Sequence, residues 1–152
     1  MKKIFILPVL AVALIGVLSG KIVYDHYQET ANAMSQTDDD VVYFLQQGVY
    51  TNFDIMLKNR KDYPGSIYVQ EDDKYYLYVG ISKQKENAVK IQKIYEAKNI
   101  PIYIREVIVT NTEFLSGLEQ YDILLKGVET EKEVMGIVEV ILGSYSEIVL
   151  NQ

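Results

Sequence analysis

The chain has 152 residues, 49% of them hydrophobic and 24% charged, with 13 tyrosines, one histidine and no cysteine. This balance excludes a disordered chain, a collagen and a large multidomain enzyme, and the lack of cysteine excludes disulfides, thiolate-held zinc, thiol catalysis and lipid attachment through sulfur. The net charge of −6 is uneven: residues 41–109 carry 10 basic and 8 acidic groups, residues 110–152 carry 2 and 8, and no basic cluster suits a nucleic-acid backbone.

Met1-Lys2-Lys3 precedes 17 residues, 4–20, without a charge. As a helix this run spans about 26 Å, and if Lys21 snorkels, Ile22-Val23-Tyr24 extend it toward a full membrane crossing. The reading is a basic stub at 1–3 and a transmembrane helix at 4–24. Lys2 and Lys3, set against Asp25, Glu29 and Asp38-Asp39-Asp40, orient it with the N-terminus in the cytoplasm and the rest outside, single-pass in the cell membrane. A cleaved signal peptide is the alternative, but the small-x-small site Ala31-Asn32-Ala33 lies well past the apolar run. Residues 25–40, polar and acidic, read as a linker, and His26 has no candidate metal partner nearby.

Periodic structure begins at residue 41. Residues 41–50 are aromatic and β-branched, a strand by composition. Thr51 and Asp54 resemble a capping box, followed by Phe53, Met56, Leu57 and Arg60 at helical spacing and a stop at Tyr63-Pro64-Gly65. Residues 66–70 and 74–81 read as a hairpin turning at Glu71-Asp72-Asp73. This acidic turn lacks the spacing of a calcium loop, so no metal is expected there. Ser82 can cap a second helix with Ala88, Ile91, Ile94 and Tyr95 on one stripe and Lys83, Lys85, Lys90, Lys93 and Lys98 toward solvent. Asn99 and Pro101 end it, and residues 102–109 form the last strand.

The expected fold class is therefore α+β, a βαββαβ antiparallel four-stranded sheet with two helices on one face, RNP-like, over residues 41–109. Strand alternation predicts Leu77, Val79 and Ile81 beneath the helices. It predicts Phe44, Gln46 and Gly48, with Tyr76, Tyr78 and Gly80, on an open face that Tyr103 and Arg105 join. Aromatic rings, an amide and a guanidinium on one exposed sheet can stack on sugars and hydrogen-bond their hydroxyl and acetamido groups. The plainer alternative for each Tyr is a strand former on a half-buried sheet.

Four short motifs carry a family resemblance. Phe44-Leu45-Gln46-Gln47-Gly48-Val49-Tyr50 resembles the first strand of the SPOR domain, and Tyr76-Leu77-Tyr78-Val79-Gly80-Ile81 its third. Lys85-Glu86-Asn87-Ala88-Val89-Lys90-Ile91 is similar to the start of its second helix, and Ile100-Pro101-Ile102-Tyr103-Ile104 to the approach to its last strand. The resemblance covers residues 41–109, with Gln47 and Val49 departing from the family pattern. It implies an extracytoplasmic module that binds peptidoglycan glycan strands stripped of stem peptides and gathers at division or sporulation septa. It also implies glycan contacts at Gln46, Lys74 and Tyr76. The candidate glycan-binding set is thus Phe44, Gln46, Gly48, Lys74, Tyr76, Tyr78, Tyr103 and Arg105, with no catalysis, cofactor or metal.

In residues 110–152, Thr112 can cap a helix bearing Phe114, Leu115, Leu118, Tyr121, Leu124 and Leu125 and ending near Lys126-Gly127. Thr130 and Glu133 form a capping box ahead of Val134, Ile137, Val138, Ile141, Leu142 and Tyr145. The expectation is an αα-hairpin packed on itself and on the domain. The alternative leaves Ile137 and Ile141 exposed as a heptad-like seam for a second copy, giving a homo-oligomer, or for a divisome or sporulation protein. Two further readings compete for the whole: a septal protein-interaction module using the sheet edge or these helices, and an RNA-binding RRM with Tyr75, Tyr76 and Tyr78 on its third strand. The latter lacks the basic-Gly-aromatic start of the RNP1 motif. A hydrolase has no Ser-His-Asp set or zinc cluster to run on.

Overall fold

The computed structural model describes residues 40–151. The expected stub and transmembrane helix, and the linker up to residue 39, lie outside the described residues; among the described residues no helix is long and apolar enough to cross a membrane. The elements run β1 (Val41–Tyr50), α1 (Phe53–Arg60), β2 (Ile67–Glu71), β3 (Lys74–Ser82), α2 (Lys85–Glu96), β4 (Tyr103–Ile108), α3 (Thr112–Gly127) and α4 (Glu131–Tyr145). A π-helical turn, Ser146–Leu150, follows.

The four strands form one antiparallel sheet in the order β2-β3-β1-β4. Local chemistry accounts for most boundaries. Asp72 turns the β2–β3 hairpin with φ 51°, and Asn99, with φ 58°, takes the left-handed conformation that stops the chain after α2. Three expected caps move by one or two positions. Asn52 rather than Thr51 accepts the Ile55 N–H, and Asn111 rather than Thr112 accepts that of Phe114, because in each case the Asx side chain at the neighbouring position reaches the first turn. Ser82 ends β3, and the N-cap of α2 is Gln84, whose own N–H donates to the Ser82 hydroxyl. The Thr130–Glu133 capping box is formed.

Two irregularities in the β1–β3 ladder decide which side chains face where. Leu45 pairs with Gly80 and Gln46 with Tyr78, leaving Val79 as an extra residue on β3; Gln46 and Gly48 then pair with Tyr78 and Leu77, leaving Gln47 extra on β1. Residues directly opposite share a face, and each bulge reverses the alternation beyond it. A Cβ at Gly80 would meet Leu45 at 3.1 Å and Ile91 of α2 at 3.4 Å, so Gly80 lies beneath the helices rather than on the open face. Ile81 pairs with Phe44 on the opposite side, where strict alternation had put it under the helices. Gly48 pairs with Leu77 and is turned to the helix side, and Val49 takes its place.

The hairpin of α3 and α4 is part of the core. Among the described residues β2 pairs only with Lys74–Tyr78 of β3, and α4 packs on β3, with Leu142 and Val138 near Val79. Two lysines expected in solvent belong instead to this junction: Lys83 pairs with Glu119 at 2.6 Å, and Lys90 donates to the carbonyls of Leu125 and Val128 at the end of α3, while Lys98 stays exposed as expected and pairs with Glu131. A cation at a helix C-terminus meets both unsatisfied carbonyls and the negative end of the dipole. Ile141 is fully buried and Ile137 half-buried, which corrects the exposed-seam alternative at Ile141: the stripe is used within the chain.

Candidate functional site

With α1 and α2 on one face of the sheet, the other face would be open if the chain ended at β4. Tyr145 closes half of it. Its ring meets Phe44 edge-on at 5.2 Å and Phe114 at 5.0 Å, and these three with Val42 and Ile81 form an apolar layer over that half. Phe44 and Tyr78 are each 1% exposed, so two residues expected to contact a ligand are core. The reason is tertiary: an aromatic side chain on the free face of a sheet is what a C-terminal helix buries most favourably, about 1.5–3 kcal/mol per side chain. Burial pushes the phenols of both Tyr78 and Tyr145 upward in pKa.

The other half of the face stays accessible. Gln46 and Tyr103 are opposite each other on β1 and β4, and Tyr103 is 67% exposed. Tyr76, half-buried, stands between Val49 of β1 and Val69 of β2, and Lys74 is exposed opposite Glu71. The residues brought together here are Gln46, Lys74, Tyr76, Tyr103 and Arg105; Phe44, Gly48 and Tyr78 are not among the exposed ones.

Arg105 organises the centre. Its guanidinium carbon lies 4.8 Å from the Tyr76 ring centroid, a cation–π stack. It donates to both carboxylate oxygens of Glu71, at 3.3 and 3.0 Å, and to the Tyr78 hydroxyl at 3.0 Å. The hydrogen bond to Glu71 leads the effects that raise its pKa and keep it charged. Tyr76 and Tyr78 are nearly parallel, 13° apart, with centroids 6.4 Å apart. Buried Tyr78 thus positions the exposed groups without being exposed itself. Glu71 was read only as part of a turn; its role depends on β2 and β4 flanking the same sheet, which no local pattern reveals.

This strip offers a flat aromatic ring, an amide, an ammonium and a guanidinium across three strands. It can stack on sugar rings and exchange hydrogen bonds with them. Among the described residues no group of three or more His, Cys, Asp or Glu is placed to hold a metal ion. Tyr75 pairs with Tyr50 and lies on the helix side, in an aromatic cluster with Phe53 and Tyr68, so the three third-strand tyrosines of the RRM alternative do not share a face. The chain matches no family model, no curated protein and no solved structure.

Proposed function

We propose that the chain is a membrane-anchored, SPOR-like module with an RNP-like βαββαβ core that binds peptidoglycan glycan strands lacking stem peptides and collects at septa, without catalysis. The observation that carries this reading is the exposed half-face, where Gln46, Tyr76, Tyr103 and Arg105 stand on adjacent strands with Lys74 at the end. Strand spacing of about 4.8 Å sets these groups at intervals comparable to a sugar ring, so one glycan chain crossing the strands meets several of them. The element order and the sheet order β2-β3-β1-β4 are those of a split βαβ fold, which agrees with the four motifs in register.

The test is sedimentation of the full-length chain, in mild detergent, with purified sacculi before and after an amidase has removed the stem peptides. Binding rises on the denuded wall and falls about 10-fold in Gln46→Ala with Tyr103→Ala, a loss of two polar or stacking contacts of about 0.7 kcal/mol each. Failure to sediment with either wall sinks the reading.

A further inference from the structure

The guanidinium of Arg105 has five N–H donors arranged as two forks and a single outer donor. Glu71 takes the end-on fork through Nη1 and Nη2, and Tyr78 takes the outer Nη1–H. Among the described residues nothing accepts from Nε–H or from the second Nη2–H. Those two donors form the side-on fork, parallel and spaced to match the two oxygens of a carboxylate. The stack on Tyr76 fixes the plane, the bonds to Glu71 and Tyr78 fix the rotation, and the side chain is 32% exposed. A fork held rigid in this way loses little entropy when a second carboxylate arrives.

We propose that this free fork binds a ligand carboxylate and makes the exposed half-face selective for a glycan whose sugars carry a free acid. The inference rests on the glycan reading above. In the wall polymer, muramic acid bears a lactyl ether: with the stem peptide attached its carboxyl is a neutral amide, and with the peptide removed it is a carboxylate. The carboxylate supplies two coplanar acceptors and a charge. The amide supplies one acceptor, turns an N–H donor toward the donors of Arg105, and brings the peptide with it. One side chain thereby gives a physical reason for preferring denuded strands. Glu71, at the far fork, orients the guanidinium, and Lys74, directly opposite Glu71 in the β2–β3 ladder, offsets its charge. Asp72 and Asp73 in the adjoining turn cancel any net positive field, so an incoming acid is held by the two directed donors of the fork and not by the charge of the face.

The experiment compares binding to the full-length chain, in mild detergent, of two probes: a peptide-free glycan oligomer with its lactyl carboxyls intact, and the same oligomer with those carboxyls reduced to alcohols. The intact oligomer is expected to bind about 10-fold tighter, the scale of a charge-assisted bidentate contact. That margin narrows in Arg105→Lys, which keeps the charge and lacks the fork. Equal affinity for the two oligomers overturns the inference and leaves the glycan reading standing, whereas binding of neither overturns that reading and the inference with it.

Discussion

The ring of Phe44, on the first strand, lies edge-on to that of Tyr145, at the end of the last α-helix, with centroids 5.2 Å apart. Phe44 also meets Tyr78 at 5.0 Å, so one contact joins the two ends of the described chain and the strand that carries the candidate face. Removing the helical hairpin would open this layer and release Tyr78 from its position under Arg105.

Phe44→Ala and Tyr145→Ala are therefore each expected to destabilise the protein by about 3–4 kcal/mol, the cost of emptying a large aromatic site in a packed core. Urea unfolding followed by tyrosine fluorescence measures this. A double mutant falling short of the sum by about 1 kcal/mol would report the ring–ring contact itself, and simple additivity would mean that the two rings act separately.

Asp122 on α3 holds the hairpin to the start of α2. It is 4% exposed and accepts hydrogen bonds from the Ser82 hydroxyl, the Lys83 N–H and the Asn87 amide. Asp122→Ala leaves all three donors without this acceptor and is expected to cost about 3 kcal/mol. A loss under about 1 kcal/mol in a denaturant titration would show that water replaces the carboxylate.

The same carboxyl makes a pH prediction. Burial raises the Asp122 pKa above its ordinary 3.8, against the pull of its hydrogen bonds from Ser82, Asn87 and Lys83. A raised folded pKa means that the native state holds the proton more tightly than the unfolded chain. The Asp122 contribution is then fully present below about 3.8 and is lost as pH rises through the folded value. Relative to Asp122→Asn, which does not titrate, the wild type should gain melting temperature as pH falls toward 4. A constant difference across that range would show that the carboxyl titrates alike in both states.

Ser66 is 1% exposed and its hydroxyl has no hydrogen-bond partner among the described residues. Its backbone is well held, the N–H by Tyr63 and the carbonyl by the Arg60 guanidinium at 3.0 Å. Ser66→Ala removes an unsatisfied polar atom and leaves those bonds in place, so thermal unfolding should show stability unchanged or raised by up to about 1 kcal/mol. A clear loss would reveal a partner for the hydroxyl in solution.

Tyr103 separates binding from stability. It is two-thirds exposed and makes no ring contact among the described residues, in contrast to Tyr76, which supports Arg105. Tyr103→Ala should leave the melting temperature within about 1 °C, as is usual for exposed positions. On the proposed glycan reading it should weaken retention on denuded sacculi by about 3-fold, the scale of one stacking contact of about 0.7 kcal/mol. Unchanged retention would move the ligand track off β4.

Over residues 41–145 the sequence by itself determined the elements and their order. Turn residues, caps and hydrophobic periods act over a few positions, so they placed β1, the hairpin at Asp72, the end of α2 at Asn99 and the box at Thr130–Glu133, with errors of one residue at Asn52 and Asn111 and of two at Gln84. Which side of the sheet each residue faces was legible only while alternation held. Gln46, Tyr76 and Arg105 were correctly assigned to the accessible face, and Gly48, Gly80 and Ile81 were not, because single-residue bulges at Gln47 and Val79 reverse the parity without a local signature. Exposure on that face was a tertiary decision. Phe44 and Tyr78 carry the same sequence pattern as Tyr76, and what buries them is Tyr145, brought in by bonds such as Ser82 to Asp122, forty positions apart. Such contacts depend on how the whole hairpin docks, and the free energy that selects them is the burial of apolar surface summed over many residues. No short window of the chain contains it.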